Sequence, residues 1–122
     1  KYLLILLVIL ETKILKRIIT YTNVDYVLLP NSGFDPDSDI TLLVAKISGV
    51  KSALLIDNWD NLSSKSVIIF KPNKIFVMGE QSKDHAIKIQ GFQSNEIEVI
   101  GTPRFEVYKS NNTKSPFNFK YL

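Results

Sequence analysis

Residues with chemical capacity gather in four short polar stretches of this 122-residue chain, each directly after an apolar run. They are Asn31-Ser32-Gly33, Asp57-Asn58-Trp59-Asp60-Asn61 continuing to Lys65, Gly79-Glu80, and Gly101-Thr102-Pro103-Arg104. In the second, a tryptophan stands between carboxylates and amides. That pattern suits stacking on a sugar or a base with polar groups beside the ring. The competing reading has Trp59 fold back onto the core while Asp60 and Asn61 close a turn, and the sequence weighs the two equally. Asp57 and Asp60 could act as a base. Lys65 could neutralise a phosphate, or be an ordinary solvated lysine. Asp37 and Asp39 fall where a helix dipole favours negative charge, and Asp35 where a helix is capped, so all three read as helix-start residues rather than magnesium ligands. His85, the single histidine, lies among Lys83, Asp84 and Lys88 and reads as a solvated helix residue rather than a catalytic base.

Several chemistries are excluded at once. With no cysteine and one histidine, the chain offers no disulfide framework, thiolate metal site, cysteine nucleophile or multi-histidine site. No glycine-rich dinucleotide fingerprint, phosphate loop or serine nucleophile elbow is present. The net charge of +3 does not describe the body of the chain. Up to Pro103 there are 11 basic and 11 acidic residues, and the excess comes from Arg104, Lys109, Lys114 and Lys120 against Glu106. A neutral body with only Arg17 and Arg104 as arginines lacks the basic, aromatic-interleaved face of a nucleic-acid binder, so no nucleic-acid partner is expected.

The elements that must position these stretches follow from hydrophobic pattern and punctuation. Val24–Pro30 is an apolar run with no polar alternation, which predicts a strand covered on both faces. Asp35-Pro36 opens a helix that runs through Ile40, Leu42, Leu43, Val44, Ala45 and Ile47 to a glycine cap at Gly49. Ser52–Ile56 and Lys74–Met78 read as strands, and Val67–Phe70 as either a short strand or an extended loop. A helix follows from Gly79-Glu80, with Ala86, Ile87 and Ile89 as its buried stripe, closing at Gly91. Ile97–Ile100 reads as the last strand. Alternating strands and helices imply parallel strands with right-handed crossovers. The expected class is α/β, a Rossmann-like parallel sheet with helices on both faces. Strands of such a sheet deliver their carboxyl ends to one edge, where ligands bind. The four polar stretches should therefore share a rim, concave near Trp59, with Gly33, Gly79 and Gly101 leaving room for a ligand.

The N-terminal part differs in character. Tyr2–Leu10 is wholly apolar and ends at Glu11 and the Lys13, Lys16, Arg17 cluster. It resembles a signal-peptide core, but no small-residue cleavage site follows, and it is shorter than the roughly 20 apolar residues of a bilayer span. It predicts one helix from about Leu3 to Thr20 packed on a core, with an interfacial membrane helix as the alternative. The abrupt start at Lys1 reads as a partial chain. Residues 1–109 form one domain in this reading, with 1–20 as a helical lead-in. Residues 110–122, rich in Asn, Ser and Lys, form a mobile tail or the start of an interdomain linker.

From Val24 to Tyr108 the chain resembles the later half of the N-terminal domain of a GT-B-type glycosyltransferase, within the bacterial surface-carbohydrate and CDP-glycerol transferase-like group. The resemblance rests on VDYVLLPNSG, SALLIDNWDNLSSKS, KIFVMGEQSKDHAIKIQGF and IEVIGTPRFEVY. Within these, Trp59 to Lys65 matches a W-D-N-L-[ST]-x-K loop, Gly79-Glu80 a strand-ending pair, and Gly101 to Phe105 a G-[AT]-P-R-F segment leading toward a second domain. It implies a transferase that moves a glycosyl or polyol-phosphate group from a nucleotide-activated donor to a surface-polysaccharide acceptor. A C-terminal domain of the same enzyme would hold the nucleotide, so no cofactor is expected on this chain. The sugar or polyol acceptor would lie on this side of the cleft, against Asn31, Ser32, Asp57, Trp59, Asp60, Asn61, Lys65, Gly79, Glu80 and Thr102. The implied location is cytoplasmic, at the inner face of the membrane, with peripheral contact through residues 1–20. The alternative is a non-catalytic α/β binding module. A receiver or flavodoxin-like domain fits less well, for want of a phosphate loop and an acidic triad.

Overall fold

The computed structural model of the chain describes residues 2–30 and 36–102, with side chains from Leu7 onward. Its elements alternate as the pattern predicts: α1 (Tyr2–Tyr21), β1 (Tyr26–Leu29), α2 (Pro36–Ile47), β2 (Lys51–Leu55), a π-helical turn (Asn61–Lys65), β3 (Lys74–Val77), α3 (Glu80–Lys88) and β4 (Ile97–Val99). The four strands form one parallel sheet in the order β1-β2-β3-β4, flanked by helices, a Rossmann-like α/β arrangement. Of the two readings for Val67–Phe70, the structure has the extended loop, before β3. Asn73 shapes the end of that loop: its side-chain oxygen accepts from the Ser52 N–H at 2.8 Å, and its own N–H donates to the Ser52 carbonyl at 2.9 Å.

Register explains where the core lies. Leu29, Leu54, Ile75 and Ile97 lie across from one another in successive strands, and cross-strand partners project to the same face. Leu54, Ile56, Ile75, Val77 and Ile97 form the core with Leu42 of α2, Ala86 of α3, and Leu62, Ile68 and Phe92 from the loops. Burying side chains of this size contributes about 1.5–3 kcal/mol each. The alternate positions of β1 differ: Tyr26 and Leu28 are exposed. The continuous apolar run of this strand is thus not covered on both faces. β1 is an edge strand among the described residues, and Tyr26 and Leu28 remain exposed on it.

The helices also depart from their sequence patterns. In α3 the buried positions are Ser82 and Ala86, one turn apart, whereas Ile87 and Ile89 are exposed. A four-residue spacing faces one direction on a helix; Ile87 lies about 100° from Ala86 and turns away. In α2, Leu42, Val44 and Ala45 are buried and Ile47 is exposed. Gly49 adopts φ +71° and closes α2, with Val50 N–H bonded to the Ala45 carbonyl and Gly49 N–H to that of Lys46. α1 lies against α2 through a narrow stripe: Thr12 and Leu15 are half-buried and Ile19 is buried, while Leu7, Val8, Ile9, Leu10, Ile14, Ile18 and Tyr21 are exposed.

Candidate functional site

Because β2, β3 and β4 run parallel, the segments that leave their carboxyl ends depart from one edge of the sheet. These are residues 57–65, Gly79-Glu80 and Gly101-Thr102. Asn31 and Ser32, assigned to the same rim from sequence, lie outside the described residues, as do Gly33, Asp35, Arg104 and the 110–122 segment.

The loop after β2 is built from the inside out. Leu62 is 1% exposed and joins the core, and Asn61 beside it is buried. The Asn61 side-chain amide donates to Asp57 Oδ1 at 2.9 Å. The Asn61 carbonyl receives the Ser66 N–H at 3.2 Å, the long-range bond that makes this turn π-helical, and the Ser66 hydroxyl at 2.9 Å. Such turns are uncommon and recur at functional sites. The Asp60 carbonyl receives the N–H groups of Ser63 and Ser64 at 3.2 and 3.1 Å. With Leu62 and Asn61 turned inward, Trp59 is left on the outside and is 68% exposed. Of the two sequence readings for this residue, folding back onto the core is therefore excluded.

Electrostatics on the loop are largely self-contained. Lys65 Nζ lies 2.8 Å from Asp60 Oδ2, and the Asp60 side chain is mostly covered. Lys65 is thus an ion-pair partner rather than an unengaged cation awaiting a phosphate. The second Asp60 oxygen, Oδ1, is buried without a hydrogen-bond partner. Gly79 caps α3 in an extended conformation, and Glu80 stands exposed in the first turn. Gly101 has φ +77°, and space is open where a Cβ would stand at both glycines. Thr102 is half-buried.

His85 is not simply solvated. Its ring is half-buried, and Nδ1 is buried with no hydrogen-bond partner, because α3 turns that side toward the protein. Asp84 on the exposed side is held below the ordinary carboxylate range, chiefly by its hydrogen bond and ion pair with Lys88 at 2.7 Å. Among the described residues no group of three or more His, Asp or Glu side chains is arranged to hold a metal ion. A concavity of about 460 Å³ lies along α1, lined by Ile14, Arg17, Ile18, Tyr21 and Thr22 and by none of the rim residues. No helix among the described residues is long and apolar enough to cross a membrane.

One residue of this region was not legible in the sequence. Gln90, just past α3, holds the 62–68 backbone with its side-chain amide. It lies 22 to 28 residues from its partners, and no local pattern marks it. No family model, curated protein or solved structure matches the chain.

Proposed function

We propose that this chain supplies the acceptor side of a two-domain transferase that moves a glycosyl or polyol-phosphate group from a nucleotide-activated donor. The observation that carries the reading is Trp59, an exposed aromatic ring on a hydrogen-bonded loop at the carboxyl edge of a parallel sheet. A sugar or polyol presents C–H groups to such a ring and hydroxyls to the polar groups around it. Asp57 and Glu80 supply those polar groups, the covered Asn61 and Asp60 side chains hold the loop that carries the ring, and Gly79 and Thr102 lie on the same rim. In this reading a C-terminal domain of the same enzyme binds the nucleotide and closes the cleft. Chemistry requires groups from both sides held in register, so this chain alone does not turn over a donor. The setting is cytoplasmic, at the inner face of a membrane, where exposed apolar side chains of α1 and the Lys13, Lys16, Arg17 cluster meet lipid. The competing reading, a non-catalytic binding module, uses the same rim without transfer.

Nuclear magnetic resonance on the 122-residue chain tests the assignment. Titration with a sugar or glycerol-phosphate acceptor analogue should shift the Trp59 indole N–H saturably. A matched alcohol without vicinal hydroxyls should not. Absence of a saturable shift with any polyol removes the acceptor reading.

A further inference from the structure

Gln90 makes three hydrogen bonds with one side chain. Its amide nitrogen donates to the Leu62 carbonyl at 3.0 Å and the Ser66 carbonyl at 2.8 Å. Its amide oxygen accepts from the Ile68 N–H at 3.1 Å. The arrangement fixes the amide's orientation, since the flipped form would set its oxygen against two carbonyls and its NH2 against an N–H. The chain of bonds continues from Ser66 to the Asn61 carbonyl, and from Asn61 to Asp57. Trp59 stands between those last two residues. Gly91, at φ +68°, makes the turn that ends the helical segment just after Gln90, and Phe92 N–H closes it on the Ala86 carbonyl at 3.0 Å.

We propose that Gln90 is a positioning residue for the Trp59 loop, holding the π-helical turn to the end of α3 so that the tryptophan ring is presented to a sugar or polyol in one fixed orientation. This rests on the reading of the loop as an acceptor surface. Its physical core, that Gln90 orders the loop, stands apart from any ligand. A loop held only by its own bonds would spend binding free energy on ordering; one tied to a helix end meets the ligand ready-made.

The sole tryptophan gives a direct readout. Two variants of the full chain, Gln90→Leu and Gln90→Glu, are compared with the parent by amide hydrogen exchange and by time-resolved anisotropy of Trp59. In Gln90→Leu, exchange at Ser66 and Ile68 should quicken about tenfold or more, and the ring should gain fast local motion. Amides of β2 and β3 should keep their protection. Gln90→Glu adds a readout that mere loss of packing would not produce. At about pH 8 its carboxylate opposes two carbonyls and the loop loosens. Toward about pH 4.5 the protonated acid regains a donor and order returns. The parent should show no such profile. Acceptor affinity, read from the Trp59 indole shift, should fall about tenfold in Gln90→Leu.

Parent-like exchange and anisotropy in both variants, or a pH-independent Gln90→Glu, overturns the positioning role. If Gln90→Leu does not fold, the pH series on Gln90→Glu decides alone. If the parent shows no indole shift with any acceptor, the acceptor reading falls, while exchange and anisotropy still judge Gln90.

Discussion

Asn61 donates its side-chain amide to Asp57 Oδ1 at 2.9 Å, and this bond closes the arc on which Trp59 stands. Asn61 is buried and Trp59, two residues earlier, is exposed. The polar side chain is thus inside and the largest aromatic outside, the reverse of the usual partition. Leu62, next in sequence after Asn61, supplies the apolar side chain by which this loop joins the core.

Trp59→Ala should therefore leave stability nearly unchanged, within about 0.5 kcal/mol, as for a surface substitution. A core tryptophan would cost about 3–5 kcal/mol. Urea denaturation of the two proteins decides between these values. Under the proposed acceptor role, the same change should weaken binding of a polyol to the chain.

Leu54→Ala addresses the opposite case. Leu54 is fully buried between Leu29 and Ile75 in the sheet register. Its truncation should cost about 2–5 kcal/mol and leave a cavity. Unchanged denaturation would mean that the core is not centred where the register puts it.

Asp84 and Lys88 form an exposed pair one helical turn apart. Because the lysine depresses the aspartate's pKa, the pair's stabilisation is present above the ordinary carboxylate range and is lost as pH falls through the lowered value. Lys88→Met should return the Asp84 titration upward toward that range, with little change in the melting temperature. Carbon-detected carboxylate titration measures the shift. A titration of Asp84 unaltered by the substitution would show that Lys88 is not its cause.

The outward side of α1 predicts lipid contact. Ile14, Ile18 and Tyr21 are exposed at helical spacing, and Lys13, Lys16 and Arg17 form no ion pair among the described residues. Vesicles containing anionic lipid should sediment with the chain, and neutral vesicles should not. Changing the three cations to Gln should weaken binding by about a hundredfold, at about 1 kcal/mol per charge. Equal binding to both vesicle types, or none to either, rules this surface out as an electrostatic membrane contact.

Much of the fold was legible because its signals are local. Pro36 opens α2, and Gly49 and Gly91 adopt the left-handed conformation where a cap was expected. The apolar runs before Asp57, Gly79 and Gly101 are strands of one parallel sheet. What the sequence left open depends on partners far along the chain. Val67–Phe70 has strand-like composition, yet the Ile68 N–H is taken by Gln90 and Ile68 enters the core from a loop. Ile87 and Ile89 are apolar, but the short α3 buries only the face of Ser82 and Ala86. The two readings of Trp59 could not be separated until Leu62 and Asn61 were seen to occupy the interior. Lys65 looked available for phosphate because its partner, Asp60, is brought to it only by the π-helical turn.

The strand order β1-β2-β3-β4 has a consequence for how the molecule is assembled. Among the described residues each strand pairs only with its neighbours in sequence, at separations such as Tyr26 with Lys51, Ala53 with Lys74 and Ile75 with Ile97. Within this four-stranded sheet no closure has to wait for a distant segment, so the entropic cost of each pairing stays small and nearly equal. The sheet can grow in one direction as the polypeptide emerges, each strand templating the next. Gln90 enters this sequence late, after three strands are laid down, and its arrival turns a loop already made into a loop of fixed shape.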